Sequence, residues 1–447
     1  MTVTKHRPTR ALVSPTLLAQ LVLGAVVVAN LLIVEALFLS SGSGKNQVLT
    51  VAKFFGLHAA LVMMLQLTLV ARLPWLDRRI GMDRLTGWHR WTGFTLVWTV
   101  LLHATLVIVG YATLDDAPVL RTFWIFAGLT PSLLGMCAAA IIVAVAATSV
   151  RFARRRLRYE TWHALHAALY LAIGIALTHQ FLEGTTFTAS TLSTVYWWTL
   201  WACVLTALVV GRVVLPLWRN AYHQFRVAAV VPEADDVVSV HITGRHLDRL
   251  PARAGQFFIW RFLGHNPWWQ ANPFSLSAAP NGRSLRLTAK ACGTTSAGLR
   301  DVPIGTRVFA EGPYGAFTTA NRVRAGTLLI AGGVGITPIR AMLEESAGPA
   351  VVLYRVHRMA DAVLLAELQA LARARGAQLQ VLTGRTGGGS PPNLPFDPRR
   401  LLAMVPDIVE RDVFVCGPPA MTTAVLRSLR ALRVPGPQVH AERFSLA

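Results

Sequence analysis

Cysteine is scarce in this sequence and never clustered. The four present, Cys137, Cys203, Cys292 and Cys416, form no C-x-x-C pair, so iron–sulfur and zinc-finger chemistry lack ligands. Two lie in apolar runs and two in the polar half, which gives no ground for a disulfide framework. Acidic residues are also few, 22 Asp and Glu against 43 Lys and Arg, for a formal net charge of +21. Such an excess raises the question of nucleic acid, but the polar half carries no basic stripe with interleaved stacking aromatics, and no nucleic-acid partner is expected. Internal repeats are lacking, and only GGGSPP from Gly387 is compositionally biased, as a loop.

Apolar residues, by contrast, make up 53% of the chain and are unevenly placed. Up to about Trp218 long apolar runs carry few charges, whereas the remainder mixes charge, Gly and Pro like a water-soluble protein. The mean hydropathy of +0.46 therefore averages two unlike halves. With 447 residues there is room for two or three cores. Six runs reach the roughly 20 residues a helix needs to cross a lipid bilayer: Leu17 to Ser40, Leu49 to Arg72, Trp88 to Thr113, Trp124 to Val150, Thr161 to Phe181 and Ser193 to Trp218. The first is too long for a signal-peptide core and shows no evident cleavage site, so it reads as a retained anchor.

Basic residues orient these runs. Lys5, Arg7 and Arg10 precede the first, Arg72, Arg78, Arg79 and Arg84 fill the second connection, and Arg151, Arg154, Arg155, Arg156 and Arg158 fill the fourth. The other connections offer Lys45 and Arg121 beside Asp115, Asp116 and Glu183. The positive-inside rule then puts the N-terminus and everything after Trp218 on the cytoplasmic side of a cell membrane crossed six times. Trp197, Trp198 and Trp201 are expected at the outer interface as an aromatic belt.

From Phe225 to about Arg324 short alternating stretches (FRVAAVV, DVVSVHI, GQFFIWRF, SLRLTAKA, TRVFAEG) predict a small antiparallel β-barrel. From Gly326 onward TLLIAGG, AVVLYR, QLQVLTG and DVFVCG alternate with helix-like segments, which predicts a parallel α/β sheet with a nucleotide site at the strand C-termini. The expected fold is multi-domain: a six-helix transmembrane bundle over 1–218, an antiparallel β-barrel over 219–324 and an α/β parallel-sheet domain over 325–447.

His58, His89, His103, His163, His166 and His179 fall in or beside the apolar runs, where an ionisable group is costly and marks function. His89 and His103 are 14 residues apart on the third run, about 21 Å along a helix and about 40° apart in azimuth. His166 and His179 on the fifth run are 13 apart, about 140° in azimuth, which calls for a kink near Gly174 or for ligands approached from different sides. Both runs point outward, so His89 shares the cytoplasmic depth with His166, and His103 shares the outer depth with His179. Two facing imidazole pairs about 20 Å apart suit two stacked b-type haems. Polar bonding between helices is the alternative. His163 competes with His166 for the inner position, and His58 reads as a supporting residue.

In the polar half Asn272, Pro273, Phe274, Ser275, Leu276 and Ser277 lie between two strands, with Gln256 before them and Lys290, Gly293 and Ser296 after. The set reads as a flavin site: an aromatic beside the ring, the Ser275 hydroxyl at its N5 region, and Lys290 with Ser296 toward the pyrophosphate. Gly332, Gly333 and Gly335, then Thr337 and Pro338, follow an apolar strand and open a helix, an arrangement that admits a dinucleotide pyrophosphate to a helix N-terminus. Cys416, Gly417 and Pro418 end a later strand, where a tight turn would present the thiol near a nicotinamide. Arg355, Arg358 and Arg385 follow neighbouring strands where a 2′-phosphate would lie, which favours NADPH over NADH.

In these motifs and their order the chain resembles the ferric reductase and NADPH oxidase superfamily. The His89-Arg90 pair followed by Gly93 is similar to the pattern of its six-helix ferric-reductase-like domain, and the polar half resembles ferredoxin–NADP reductase type modules. The resemblance implies haem ligation by His89, His103, His166 and His179, FAD around Pro273 to Ser277, NAD(P)H at the Gly-rich loop and the CGPP turn, and Phe444 stacked on the flavin. The sequence departs from that pattern at Asn272, where His or Arg is usual, at Ser296, where Thr is usual, and in the three residues beyond Phe444. The activity implied is NAD(P)H-driven electron transfer through FAD and two haems to an extracytoplasmic acceptor. Dioxygen is favoured over a ferric chelate because the outer loops are short and bear no metal-binding cluster. A non-catalytic haem-binding membrane module is the rival reading.

Overall fold

The computed structural model describes residues 15–154, 156–157, 159–265, 267, 270, 272–387 and 394–443, without the side chains of 15, 151, 152, 159 and 443. Lys5, Arg7, Arg10, Arg155, Arg158, most of the GGGSPP stretch and Phe444 lie outside the described residues. The described residues divide into two compact units, one within 20–73 and 84–212, the other within 15–19, 74–83 and 213–443.

The first unit is helical. Its apolar runs form α1 (Pro15–Ser40), α2 (Gln47–Val70), α4 (Met82–Leu114), α5 (Val119–Ala127), α6 (Thr130–Ser149), α7 (Arg151–Arg154), α8 (Tyr159–Glu183) and α9 (Thr191–Val209), with α3 (Pro74–Ile80) intervening in the chain. Side-chain oxygens of Asn46 and Ser190 cap α2 and α9 by accepting from the N–H groups of Leu49 and Ser193. Leu57, Met63, Met64, Leu67, Trp197 and Trp201 are packed inside, while Leu39, Trp98, Leu120 and Leu192 face outward. Among the described residues six helices are long and apolar enough to cross a membrane. An outward apolar surface of this kind suits lipid.

Three expectations change here. The run from Trp124 to Val150 is two helices, broken at Gly128 and Leu129, because Pro131 lacks the N–H that would continue the α5 ladder. The sixth run continues from α9 through a π-turn (Val210–Val214) into α10 (Leu215–His223), where Pro216 likewise removes a donor. Trp197 and Trp201 form no belt. Both are almost fully buried, Trp197 stacking on Phe187 at 4.3 Å, and Trp198 alone of the three is exposed.

The second unit holds the strands. β1 (Arg226–Ala234), β2 (Val237–Thr243) and β5 (Ser284–Lys290) form one antiparallel sheet, and β4 (Asn272–Ser275), β3 (Phe257–Phe262) and β6 (Val308–Tyr314) another, in those orders. Val240, Ile242, Phe258, Trp260, Leu276 and Leu287 fill the core they enclose. The expected barrel is thus two three-stranded sheets, joined at their edges by the isolated bridges Arg226 to Arg307 and Leu276 to Leu287. β4 is only four residues long and contains Pro273, which cannot donate to a ladder. A short helix, α11 (Thr294–Gly298), follows β5.

β7 (Gly326–Gly332), β8 (Ala350–Arg355), β9 (Gln378–Leu382), β10 (Arg411–Gly417) and β11 (Val439–Arg443) make a parallel sheet ordered β11-β10-β7-β8-β9. α12 (Ile336–Glu345) and α13 (Leu365–Arg375) cover one face, and α14 (Pro398–Met404) with α15 (Pro419–Ala431) the other. The chain runs from β7 outward to β9, then returns to the other side of β7. The C-terminal ends of β7 and β10 therefore border the point where the winding reverses, the usual place for a ligand crevice in such sheets.

Candidate functional site

The two turns singled out for a dinucleotide meet at that reversal point. β7 ends in Gly332 and β10 in Gly417, and a Cβ on Gly417 would stand 3.1 Å from the Cα and N of Gly332. A Cβ on Gly335 would collide with the carbonyl oxygen of Cys416. Only glycines allow two turns to approach this closely. Gly333 has φ +53, and Thr337 ties the loop by donating to the Val334 carbonyl at 3.1 Å. Pro338 is buried in the first turn of α12, while Pro418 and Pro419 open α15. Two helix N-termini thus converge on one edge of the sheet, where their N–H groups favour an anion.

Of the three arginines, Arg355 is buried and turned inward. Its guanidinium donates to the carbonyls of Leu382 at 3.1 Å, Val356 at 3.3 Å and Gly384, and to the Thr386 hydroxyl. Arg358 is 80% exposed and paired with Asp361 at 2.9 Å. Arg385 is exposed.

The expected flavin stretch folds as β4 and the turn after it. Pro273 is exposed, Asn272 and Phe274 are half-buried, and Leu276 and Ser277 are committed to the core. Ser277 accepts from Arg286 at 3.1 Å and from Thr288 at 2.7 Å. Ser275 differs: its Oγ is sealed from solvent yet has no hydrogen-bond partner, a costly state that a ligand acceptor or donor would relieve. Gln256 is held by the Arg253 N–H at 2.9 Å and by the Gly315 carbonyl at 3.2 Å. Lys290 pairs with Asp236 at 3.1 Å at the end of β5, and Ser296 accepts from the N–H groups of Cys292 and Gly293. The donor set fits a flavin dinucleotide, with the orphaned Ser275 hydroxyl as the specific sign.

Beside Cys416 lies a carboxyl that sequence reasoning missed. Glu442 on β11 pairs in register with Cys416 on β10, and its Oε2 is sealed without a hydrogen-bond partner. Burial, then the charges of Asp83 and Asp77, push the Glu442 carboxyl up to about 8. Burial, Glu442 and Asp83 raise the Cys416 thiol well above its ordinary value, so it is a neutral thiol rather than a nucleophile. Asp77 is fixed by accepting from the Gly315 N–H at 2.7 Å. The only signal for Glu442 was its place before the Arg-Phe dipeptide.

In the helical unit the His89 and His166 rings approach edge-on, centroids 6.1 Å apart and planes at 71°, and His166 stacks on Trp162. His163 is exposed instead. Two imidazoles on one metal, with metal–nitrogen bonds of about 2 Å and ring centres about 1 Å beyond, would have centroids roughly 6 Å apart. The Nδ1 of His166 is sealed without a partner, and the Gln66 backbone lies within reach of the His89 ring. His103 and His179 donate from Nδ1 to the carbonyls of Ala52 at 2.8 Å and Pro131 at 2.9 Å. A carbonyl only accepts, so Nδ1 carries the proton and Nε2 keeps its lone pair for a metal. The separation of His89 and His166 fits bis-imidazole ligation of a haem. α8 runs unbroken past Gly174, so His166 and His179 address different neighbours, α4 and α6, rather than a kink. His58 lies apart, between the Phe54 carbonyl at 2.9 Å and Glu35 at 3.2 Å.

Residues 55–177 match the family of the ferric reductase like transmembrane component, and residues 329–427 match the oxidoreductase NAD-binding domain. Ferredoxin–NADP reductase B of Sorangium cellulosum is 32% identical over 192 residues, 38% of this chain and 77% of the relative. The ferredoxin–NAD(+) reductase component of the alkene monooxygenase system of Xanthobacter autotrophicus is 32% identical over 204 residues, 42% of this chain. The ferredoxin reductase component of 3-ketosteroid-9-alpha-monooxygenase of Mycobacterium tuberculosis is 31% identical over 237 residues, 49% of this chain. The chain spans 61% and 65% of the lengths of the last two.

Proposed function

From a chain that belongs to the ferric reductase and NADPH oxidase-like superfamily, a multi-pass membrane oxidoreductase with a ferredoxin–NADP reductase type domain for FAD and NAD(P)H, we propose an NADPH oxidase that delivers electrons to dioxygen outside the cell membrane. The observation that carries this reading is the approach of the His89 and His166 rings to 6.1 Å within helices that can span a bilayer. When bound, FAD converts hydride chemistry into single-electron transfer, and two b-type haems extend that transfer across the membrane.

The chain's own residues position these groups. His89 with His166, and His103 with His179, would supply four imidazole ligands to the haems. Pro273, Phe274 and the Ser275 hydroxyl would hold the flavin. The N-termini of α12 and α15 would hold the nicotinamide dinucleotide's pyrophosphate. Glu442, pushed up to about 8, keeps a proton at neutral pH, so no carboxylate charge stands next to Cys416 at the end of β10. The basic connections support a cytoplasmic nucleotide-binding unit. The connections between candidate spans on the opposite side, 41–46, 115–129 with the short α5 inside it, and 184–190, leave limited protein for a chelate pocket, which favours a small acceptor such as dioxygen.

The test is anaerobic reduction of the purified protein by NADPH while the haem spectrum is followed, then admission of oxygen or a ferric chelate with and without superoxide dismutase. Haem reduction followed by dismutase-sensitive superoxide formation is expected. Dismutase-insensitive iron reduction with negligible oxygen consumption would overturn the acceptor, and absence of haem would overturn the whole.

A further inference from the structure

Helices α2 and α6 receive the two histidines of the outer pair in the same way. On α2 the Ala52 carbonyl accepts from His103 Nδ1, and four residues on, at Gly56, a Cβ would stand 2.8 Å from both Cε1 and Nδ1 of that ring. On α6 the Pro131 carbonyl accepts from His179 Nδ1, and four residues on, at Gly135, a Cβ would stand 2.8 Å from Cε1 and 2.9 Å from Nδ1.

The spacing has a physical reason. In an α-helix the carbonyl of residue i is bonded to the N–H of residue i+4, and the side chain at i+4 leans back over that turn. It therefore covers the carbonyl's second lone pair. Glycine at i+4 uncovers that lone pair and clears the volume an imidazole edge needs. Neither His89 nor His166 has an equivalent slot: among the described residues no glycine of the helical unit would bring a Cβ against either ring, and Gly174, on the same helix as His179, has nothing within 4 Å of a Cβ.

We propose that Gly56 and Gly135 are positioning residues for His103 and His179, each forming with the carbonyl four residues earlier a slot that fixes the ring and its tautomer so that Nε2 faces the outer haem iron. The inference rests on the haem ligation proposed above. It makes the two haem sites chemically distinct, since a donated Nδ1 proton strengthens the ligand as an electron donor and such bonds orient it. A methyl group in either slot must push the ring off its carbonyl, and only the outer haem should register the change.

The experiment uses the full chain in detergent, with Gly56→Ala, Gly135→Ala and the control Gly174→Ala, read by haem-to-flavin ratio, low-spin spectra and potentiometric titration. Wild type holding fewer than two low-spin haems would sink the proposed function itself. With wild type intact, each slot variant is expected to lose one haem, turn it high-spin or shift its midpoint, with the other haem and FAD unchanged and Gly174→Ala like wild type. Unchanged spectra and midpoints in both slot variants overturn the proposal, as does loss of both haems with FAD retained, which would mark the glycines as general bundle packing. Where a slot variant does not accumulate, His103→Ala is compared with His103→Ala/Gly56→Ala. Equal accumulation is expected, because the slot has no ring left to receive; a continued deficit in the double variant overturns the proposal.

Discussion

Arg286 and Glu367 form a two-pronged ion pair, Nη1 to Oε1 at 2.9 Å and Nη2 to Oε2 at 3.0 Å, which joins β5 of the antiparallel sheets to α13 of the parallel-sheet half. Arg340 on α12 reaches the same carboxylate at 3.0 Å. The fork geometry makes this stronger than an ordinary surface pair, and Arg286 is buried, so removing the carboxylate leaves a guanidinium in poor solvent.

Glu367→Gln is expected to loosen the flavin and nucleotide halves from each other. Glu367 is 39% exposed, so solvent screening holds the loss to about 1–2 kcal/mol. The Arg286 hydrogen bond, then the charges of Arg286 and Arg340, hold the Glu367 carboxyl below its ordinary 4.5. Its stabilisation is thus present above about pH 4.5 and lost as pH falls through the lowered value. Thermal release of flavin fluorescence, at pH 7 and pH 4, measures both effects. An unchanged midpoint at pH 7 would remove the clamp from consideration.

His103→Leu and His179→Leu are each expected to remove the outer haem while NADPH still reduces the flavin. The motive is the shared pattern of Nδ1 donation to the Ala52 and Pro131 carbonyls, which leaves both Nε2 atoms available. Pyridine haemochrome content per flavin decides it. Full haem content in either variant would dissolve the outer pair.

The apolar runs were legible because a helix that faces lipid must be apolar over its whole length, whatever its neighbours. Hydropathy is blind to Gly128 and Pro131, so the α5 to α6 break was hidden inside one continuous run. It is equally blind to direction, which is why Trp197 and Trp201, buried against the bundle, read as interfacial. β4 and β11 went unread for a different reason: one is four residues with Pro273 inside, the other exists by pairing parallel to β10. The glycine turns could be read locally because close backbone approach demands glycine. The Glu442 carboxyl could not, since its surroundings come from the register with Cys416 and from Asp77 and Asp83, far away in the chain.

Glu442→Gln is expected to flatten the pH dependence of stability. A carboxyl pushed up to about 8 binds its proton in the folded state across a range where the unfolded chain, near the ordinary 4.5, has released it. Stability is then fullest below about pH 4.5 and declines as pH rises through about 8. Every tenfold gain in the folded carboxyl's proton affinity is worth about 1.4 kcal/mol across that range. The midpoint of flavin release should fall between pH 6 and pH 9 in wild type and change less in the variant. Parallel profiles would show that Glu442 does not titrate there.

The choice of nicotinamide cofactor turns on how the three arginines divide their work. Arg355 has its guanidinium occupied by the Leu382, Val356 and Gly384 carbonyls, an arrangement that braces the ends of β8 and β9. Arg355→Ala is therefore expected to weaken NADPH and NADH alike, through the loop it supports. Arg358 and Arg385 are exposed, and a 2′-phosphate would compete with Asp361 for Arg358 while meeting Arg385 freely in solvent. Charge-assisted bonds to a phosphate contribute about 1.5 kcal/mol or more, so Arg385→Ala should lower kcat/KM for NADPH roughly tenfold and leave NADH unchanged. Arg358→Ala should act in the same direction but less, because Asp361 already engages that guanidinium and the phosphate would gain only part of its charge. Steady-state kinetics with both cofactors on all three variants separates these roles. A selective loss of NADPH in Arg355→Ala alone would mean that its carbonyl bonds give way to the phosphate when the cofactor binds.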